Sequence, residues 1–206
     1  MRQRHLVVCI VALGALAGGC VWSVPQPMLV REPRPERIAL RIGVYYSPEF
    51  RSFTYRHHVT DTAWKLGEPS VRLFGEALAL LFTDVVELAR PGSNQGPRAD
   101  VAGVIEPAIV SAGFMFPAME AARRDQKVCF PLHLTYHFTL YSPQGEPITA
   151  WDVSGSECAP VGNPLRTHAT LKESFEQVMR EDAFTFVSGF RDVPNVRRWL
   201  AEQGID

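Results

Sequence analysis

The sequence predicts an α+β domain of two layers, a mostly antiparallel sheet with a β-hairpin, covered by two main helices. Apolar residues alternate with a period of two over 127–141 and again after a short turn, which indicates two paired strands. Apolar residues recur at helical spacing over about 69–83 and about 169–190, which indicates two helices with one buried side each. The 206 residues are 46% hydrophobic and 21% charged, a composition that supports a globular core.

The first twenty residues have the pattern of an export signal. A short basic start precedes an apolar run over 6–16, and the small residues 17–19 stand directly before Cys20. This resembles the signal of bacterial lipoproteins, which implies that Cys20 becomes the new N-terminus, with lipid on its sulfur and an acyl chain on its amine. Val21, where an Asp would signal retention at the inner membrane, implies a lipid-anchored, periplasm-facing protein of the outer membrane. The alternative is an ordinary secretory signal; a membrane span is disfavoured because the run is shorter than ~20 residues.

The chain then divides into three parts. Residues 1–19 are the signal peptide, 20–37 a lipidated tether with four prolines, and 38–206 a single α+β periplasmic domain. The formal net charge of −1 carries no basic excess and argues against nucleic acid as a partner.

The other elements follow from apolar periodicity and from Gly and Pro positions. In chain order they are a strand over 38–46 closed by Ser47 and Pro48, an extended segment or long loop over 49–66, a strand over 84–88, a loop over 89–100, a strand over 101–116 in which Pro107 indicates an edge position or a bulge, a turn over 142–147, a return strand over 148–158, and a last helix over about 194–203.

The hairpin has a predicted register. Centring its turn on Gln144 and Gly145 places Phe138 opposite Trp151, Tyr136 opposite Val153 and His137 opposite Asp152.

The same register sets Cys158 opposite Pro131, one diagonal step from Cys129. A cysteine pair in an exported chain predicts a disulfide, here with a slip of two residues or a bulge near Gly155 to bring the sulfurs together.

The sequence contains none of the strong motifs for a catalytic nucleophile, a phosphate-binding loop or a helix that carries metal ligands. His137 with Asp152 is one half of a general-base pair, but a cross-strand polar contact is the favoured interpretation. His133 and His137 would lie about 13 Å apart on a strand, too far to share a metal. No catalytic residue, metal or cofactor is therefore predicted.

One segment combines aromatic and basic residues in the manner of a contact surface. The alternative is that Phe50, Phe53 and Tyr55 form the core face of one strand. The candidate residues are Tyr45, Tyr46, Phe50, Arg51, Phe53, Tyr55 and Arg56.

The order of elements, with the segments RIGVYYSPEFRSF and FTLYSPQGEPITAW and the helix over 69–82, resembles the small envelope lipoproteins related to the N-terminal domain of TolB, a group that includes LpoB and PelC. The resemblance implies a non-enzymatic accessory or assembly factor, anchored by its N-terminal lipid, that contacts an envelope protein; it leaves a homo-oligomer open. The alternatives are a hydrolase of envelope glycan or lipid around His137 and Asp152, and a carrier of small apolar ligands between sheet and helix.

Overall fold

The computed structural model describes residues 21–23, 36–57, 61–91, 100–114, 129–160 and 167–205. The elements within these ranges are eight strands and four helices. The strands are β1 Val21–Ser23, β2 Ile38–Val44, β3 Thr54–His57, β4 Thr62–Lys65, β5 Phe82–Glu87, β6 Gly103–Phe114, β7 Cys129–Tyr141 and β8 Pro147–Pro160. The helices are α1 Pro48–Ser52, α2 Gly67–Leu81, α3 Thr167–Gly189 and α4 Pro194–Glu202, with a 3-10 turn at Phe190–Asp192 between the last two.

The main sheet has five strands in the order β5-β2-β6-β7-β8. It is mixed: β2 runs parallel to both β5 and β6, while β6, β7 and β8 are antiparallel neighbours. Strand β5 runs parallel to β2 because the chain between them, through α1, β3, β4 and α2, returns to the end of the sheet where β2 begins. The predicted α+β class is confirmed.

The β7–β8 hairpin has the predicted register. Tyr136 pairs with Val153, His137 with Asp152 and Phe138 with Trp151. Gly145 has φ 91°, a backbone conformation that glycine adopts without strain, in the turn that sets this register.

The predicted disulfide between Cys129 and Cys158 is present, with a Cα–Cα distance of 5.3 Å. The expected slip or bulge was wrong. Pro131 pairs with Cys158 and Cys129 with Pro160, so the two sulfurs meet along the diagonal of a ladder whose register is continuous from Cys129 to Leu140.

Strand β6 lies in the interior of the sheet, so the edge position was wrong and the bulge was right. The pairing with β7 shifts between Ile109 and Ser111, and Val110 between them is 56% exposed. Pro107 is tolerated because β2 pairs with β6 only over Gly103–Ile105. Beyond that point a missing N–H removes no bond to β2.

Helices α2 and α3 cover one face of the main sheet, and aromatic side chains fill the space between. Phe74 of α2 meets the rings of Tyr136 and Phe138 edge-on at 4.7 and 5.0 Å. Phe186 of α3 lies 4.5 Å from Phe138. Such pairs contribute about 0.5–1.5 kcal/mol each beyond the burial of their area.

A second sheet, in the order β1-β4-β3, stands beside the main one and was not predicted. The segment interpreted as extended chain or loop is a short helix, α1, followed by the antiparallel strands β3 and β4. Ser47 caps α1 because its hydroxyl accepts from the Phe50 amide at 3.1 Å. Strand β1 joins β4 in parallel.

In the described part of the chain, no helix is both long enough and apolar enough to cross a membrane.

Candidate functional site

The predicted lipidation site stands directly before the second sheet. Cys20 itself lies outside the described residues, but Val21, the next residue, pairs with Ala63, and Ser23 pairs with Lys65. The first residues of the predicted tether are therefore part of the folded domain.

The β3–β4 hairpin connects this second sheet to one end of the main sheet. The His57 ring stacks on Phe114, the last residue of β6, with ring centroids 4.4 Å apart and planes 12° apart. The Phe114 amide donates to the Tyr55 hydroxyl at 3.5 Å. Phe114 pairs in turn with Leu132, three residues after Cys129. Strand β1, the hairpin and the disulfide therefore share one end of the domain, which we call the anchor end.

Two residues of the predicted contact surface belong to the core. Phe50 is 2% exposed and Tyr46 is 6% exposed, and their rings stack with centroids 5.8 Å apart. Burial raises the pKa of the Tyr46 hydroxyl above its ordinary value of 10. The prediction is corrected at these positions, where both side chains are buried. The alternative interpretation was right that Phe50 is a core residue and wrong that it lies on a strand, since Phe50 belongs to α1.

Arg51 fixes α1 to its neighbours. Its guanidinium lies 2.5 Å from a Glu87 oxygen and 3.7 Å from a Glu68 oxygen, and sits 5.4 Å above the Tyr46 ring. It joins β5, α1 and α2, which makes it a structural group rather than a free contact residue.

The remaining predicted contact residues are partly or fully exposed. Tyr45 is half-buried, and its amide donates to the Ile105 carbonyl at 3.0 Å. Phe53 and Tyr55 are partly buried against the core. Arg56 is exposed and pairs with Asp61 at 2.6 Å. Of these residues, Arg56 presents the most open side chain.

The His137 and Asp152 pair lies on the face of the sheet away from the helices. The His137 Nδ1 atom is 2.6 Å from the Asp152 carboxylate, with side chains 40% and 60% exposed. In the neighbouring pair, the Thr135 and Ser154 hydroxyls lie 3.0 Å apart and bond to each other. The contact predicted from the register is therefore present, on an open surface.

A buried polar cluster lies where α3 packs against the sheet. Asp182 is 1% exposed, and among the described residues neither of its carboxylate oxygens has a hydrogen-bond partner. Burial, with a smaller contribution from the Glu181 charge, raises its pKa from 3.8 to about 8. Gly155 of β8 makes room for it, since a Cβ there would stand 2.5 Å from a carboxylate oxygen.

Next to this carboxyl, the Tyr136 hydroxyl is fully buried and donates to the Ser70 oxygen at 2.8 Å, while Ser70 donates to the Leu66 carbonyl at 2.7 Å. Sequence reasoning missed the cluster. Its signal was spacing, because Asp182 stands four residues from both Val178 and Phe186 and so falls on the inner face of α3.

A small groove lies at the opposite end of the sheet, which we call the turn end. It has a volume of about 190 Å³ and is lined by Ile148, Asn195, Arg198, Trp199 and Glu202. The Asn195 side-chain amide donates to the Thr149 hydroxyl at 3.3 Å and also accepts from Arg198. The groove is polar at its rim, and the Trp199 ring is 3% exposed.

No group of three or more His, Cys, Asp or Glu residues in the described ranges is placed to hold a metal ion.

No protein-family model and no curated protein matches the chain. Solved structures do resemble it. A protein of the DUF330 family from Xanthomonas campestris has 9% sequence identity and a TM-score of 0.52, covering 89% of this chain and 98% of its own. A minor lipoprotein from Acinetobacter baumannii has 10% identity and a TM-score of 0.43, covering 77% of this chain and 94% of its own.

PelC from Paraburkholderia phytofirmans, a dodecamer, has 13% identity and a TM-score of 0.36, covering 74% of this chain and 94% of its own. The first of the three resemblances establishes a shared fold, and at these identities nothing more. The grouping with TolB and LpoB stays a prediction.

Proposed function

We propose that this chain is a lipid-anchored protein of the bacterial outer membrane that faces the periplasm and acts by protein contacts, as a non-enzymatic accessory or assembly factor. The observation that carries the proposal is the signal pattern ending at Cys20, directly before a strand of the folded domain. Two or more acyl chains, at about 0.8 kcal/mol per buried methylene, would hold the protein on a membrane, whereas a single chain binds marginally.

Contacts are favoured over catalysis because of the setting of the one acid–base pair that the sequence singled out. His137 and Asp152 are 40% and 60% exposed on an open sheet face. Catalytic groups gain from desolvation, which strengthens their electrostatics, and this pair lies in a hydrated setting.

A carrier function is disfavoured by the packing between sheet and helices. The rings of Phe74, Phe138 and Phe186 meet one another at 4.5–5.7 Å in the layer where an apolar ligand would have to bind. A ligand there would have to displace core side chains, at a cost of several kcal/mol each.

The test is an in-cell crosslink and pull-down of the lipidated protein, with Cys20→Ser as the unanchored control. We expect a specific envelope protein to be captured by the anchored form and lost with Cys20→Ser. Recovery of no partner by a folded, anchored protein would contradict the proposal.

The hydrolase alternative has its own variant, since the His137 and Asp152 contact is the observation that favours it. We expect a His137→Ala, Asp152→Ala double variant to fold and to keep the captured partner. Loss of the cellular role with the partner still bound would instead indicate catalysis at this pair.

A further inference from the structure

We infer that the domain sits directly on the lipid bilayer, with its anchor end against the headgroups and its turn end about 30 Å away, and that no free tether separates domain from membrane. The inference rests on the proposed lipidation of Cys20. The sequence-based prediction had a lipidated tether over 20–37; here the domain has a fixed orientation on the membrane instead.

Very little chain separates the proposed lipid from the folded domain. Cys20 and Val21 are consecutive, so their Cα atoms are 3.8 Å apart. Val21 already pairs with Ala63 in the ladder between β1 and β4. The proline-rich residues 24–35 come after β1 and before β2, so they connect two strands of one domain. An extended tether of about 17 residues would place the domain up to about 50 Å from the lipid. Because the chain enters the fold at Val21, these residues cannot separate the domain from the lipid.

The position of Val21 in the second sheet determines which end of the domain lies next to the lipid. Ala63 is also paired with Arg56 of β3, so Arg56 lies two strands from Val21, about 10 Å away. His57, beside Arg56, stacks on Phe114, which pairs with Leu132 at the disulfide end of the main sheet. The surface held at the membrane is therefore the anchor end.

The length of β7 gives the distance from the anchor end to the turn end. From Leu132 to the turn at Ser142, β7 spans ten residues at roughly 3.3 Å each, which gives about 33 Å. The groove lined by Trp199 and Asn195 lies at that end, where the Asn195 side-chain amide donates to the Thr149 hydroxyl. The groove and the hairpin turn therefore face away from the bilayer, where a periplasmic partner can reach them.

The exposed cations of the strands β1, β3 and β4 are Arg56 and Lys65, and one lysine contributes only about 1 kcal/mol near an anionic membrane surface. The Arg56 guanidinium is compensated by Asp61 at 2.6 Å, so it offers little attraction to anionic headgroups. We therefore expect the orientation to come from the short covalent link and to persist at high salt, where screening would weaken a charge-driven contact.

The experiment compares fluorescent labels at the two ends of the lipidated protein in phosphatidylethanolamine and phosphatidylglycerol vesicles that carry a headgroup quencher. Arg56→Cys labels the anchor end and Gln144→Cys the turn end. Only the added thiol reacts, since Cys9 is removed with the signal peptide, Cys20 carries lipid, and Cys129 and Cys158 are bonded. We expect quenching at position 56 to exceed that at 144 by at least threefold, at both low and high salt.

A matched variant with ten Gly and Ser residues inserted between Cys20 and Val21 should still float with the vesicles and lose most of this difference. Ala169→Cys and Glu202→Cys repeat the comparison if the first pair folds poorly. Ala169 is exposed in the first turn of α3, whose Phe175 lies 6.2 Å from the Tyr55 ring at the anchor end, and Glu202 lies beside the groove.

The outcomes separate the two claims. Protein that floats with vesicles but is quenched equally at both ends, or is unaffected by the inserted spacer, overturns the orientation alone. Protein that does not float has no lipid anchor, which overturns the proposed function together with this inference.

Discussion

The two ends of the main sheet are closed by different means. At the turn end, α4 packs its apolar side onto the strands, with Val196, Trp199 and Leu200 0–4% exposed, and Phe82 meets Phe190 edge-on at 5.4 Å. At the anchor end, a disulfide ties β7 to β8, and a small sheet of short strands stands beside them. The turn end is thus held by burial of α4, whereas the anchor end has a disulfide in addition to its own buried residues, such as Trp64 and Leu132, so the two should respond to different perturbations.

The largest effect is expected at the turn end. Trp199→Ala should lower the free energy of unfolding by about 3–5 kcal/mol, because it removes a nearly fully buried ring and leaves a cavity. Urea denaturation of the unlipidated Cys20→Ser protein measures it. Glu202→Ala, an exposed change in the same helix, should stay within about 0.5 kcal/mol. A Trp199 variant as stable as this control would show that burial does not hold the turn end.

At the anchor end the matching perturbation is reduction. Replacing Cys129 and Cys158 by Ala should cost about 3–4 kcal/mol, since the bond closes a loop of about 30 residues in the unfolded chain. Reductant should cost the parent protein the same amount and leave the double variant unchanged. Intact mass should rise by two hydrogens on reduction, and two free thiols in periplasmic protein would refute the disulfide.

Between the two ends, Asp182 should make stability depend on pH. Its pKa is raised in the folded state, so the fold binds this proton more tightly than the unfolded chain does. The resulting stability is complete below about pH 4 and is lost as the pH rises through about 8. Asp182→Asn, which stays uncharged, should match the parent protein near pH 4 and exceed its stability by several kcal/mol at pH 9, since each unit of raised pKa is worth about 1.4 kcal/mol.

Glu173→Gln, an exposed change in the same helix, is the control and should show no such trend. A stability difference between Asp182→Asn and parent that is the same at pH 4 and pH 9 would show that the carboxyl does not titrate as described.

The smallest effect is expected on the open face of the sheet, midway between the ends. His137→Ala should change the free energy of unfolding by less than about 1 kcal/mol, because the pair with Asp152 is exposed to water. Thermal unfolding measures this. A larger loss would mean that the pair supports the sheet and is not a surface contact.

The sequence predicted those parts of the fold that carry long periodic patterns. Strands β7 and β8 and helices α2 and α3 each extend over many residues, so period and register could be read directly, down to Phe138 opposite Trp151. The second sheet was missed because its strands have three or four residues, too few to show alternation. Its third strand, β1, joins through pairing between Val21 and Ala63, which are far apart in sequence.

The candidate site was predicted in part for the same physical reason. The disulfide and the His137 contact followed from register within one hairpin. The aromatic residues of 45–56 could not be sorted into core and surface, because Tyr46 and Phe50 are buried by α2 and β5 packing around α1, which no local pattern reports. The burial of Asp182 could not be predicted from α3 alone, because the space for its carboxylate is left by Gly155 on β8.

Both proposals depend on the lipidation of Cys20, which would hold the domain at the membrane. Mass spectrometry of the N-terminal peptide of detergent-extracted protein tests it most directly, with Cys20→Ser as the control. We expect a peptide that begins at Cys20 and carries a diacylglyceryl group on sulfur and an acyl chain on the amine. A mature chain that begins elsewhere, or an unmodified Cys20, would contradict it.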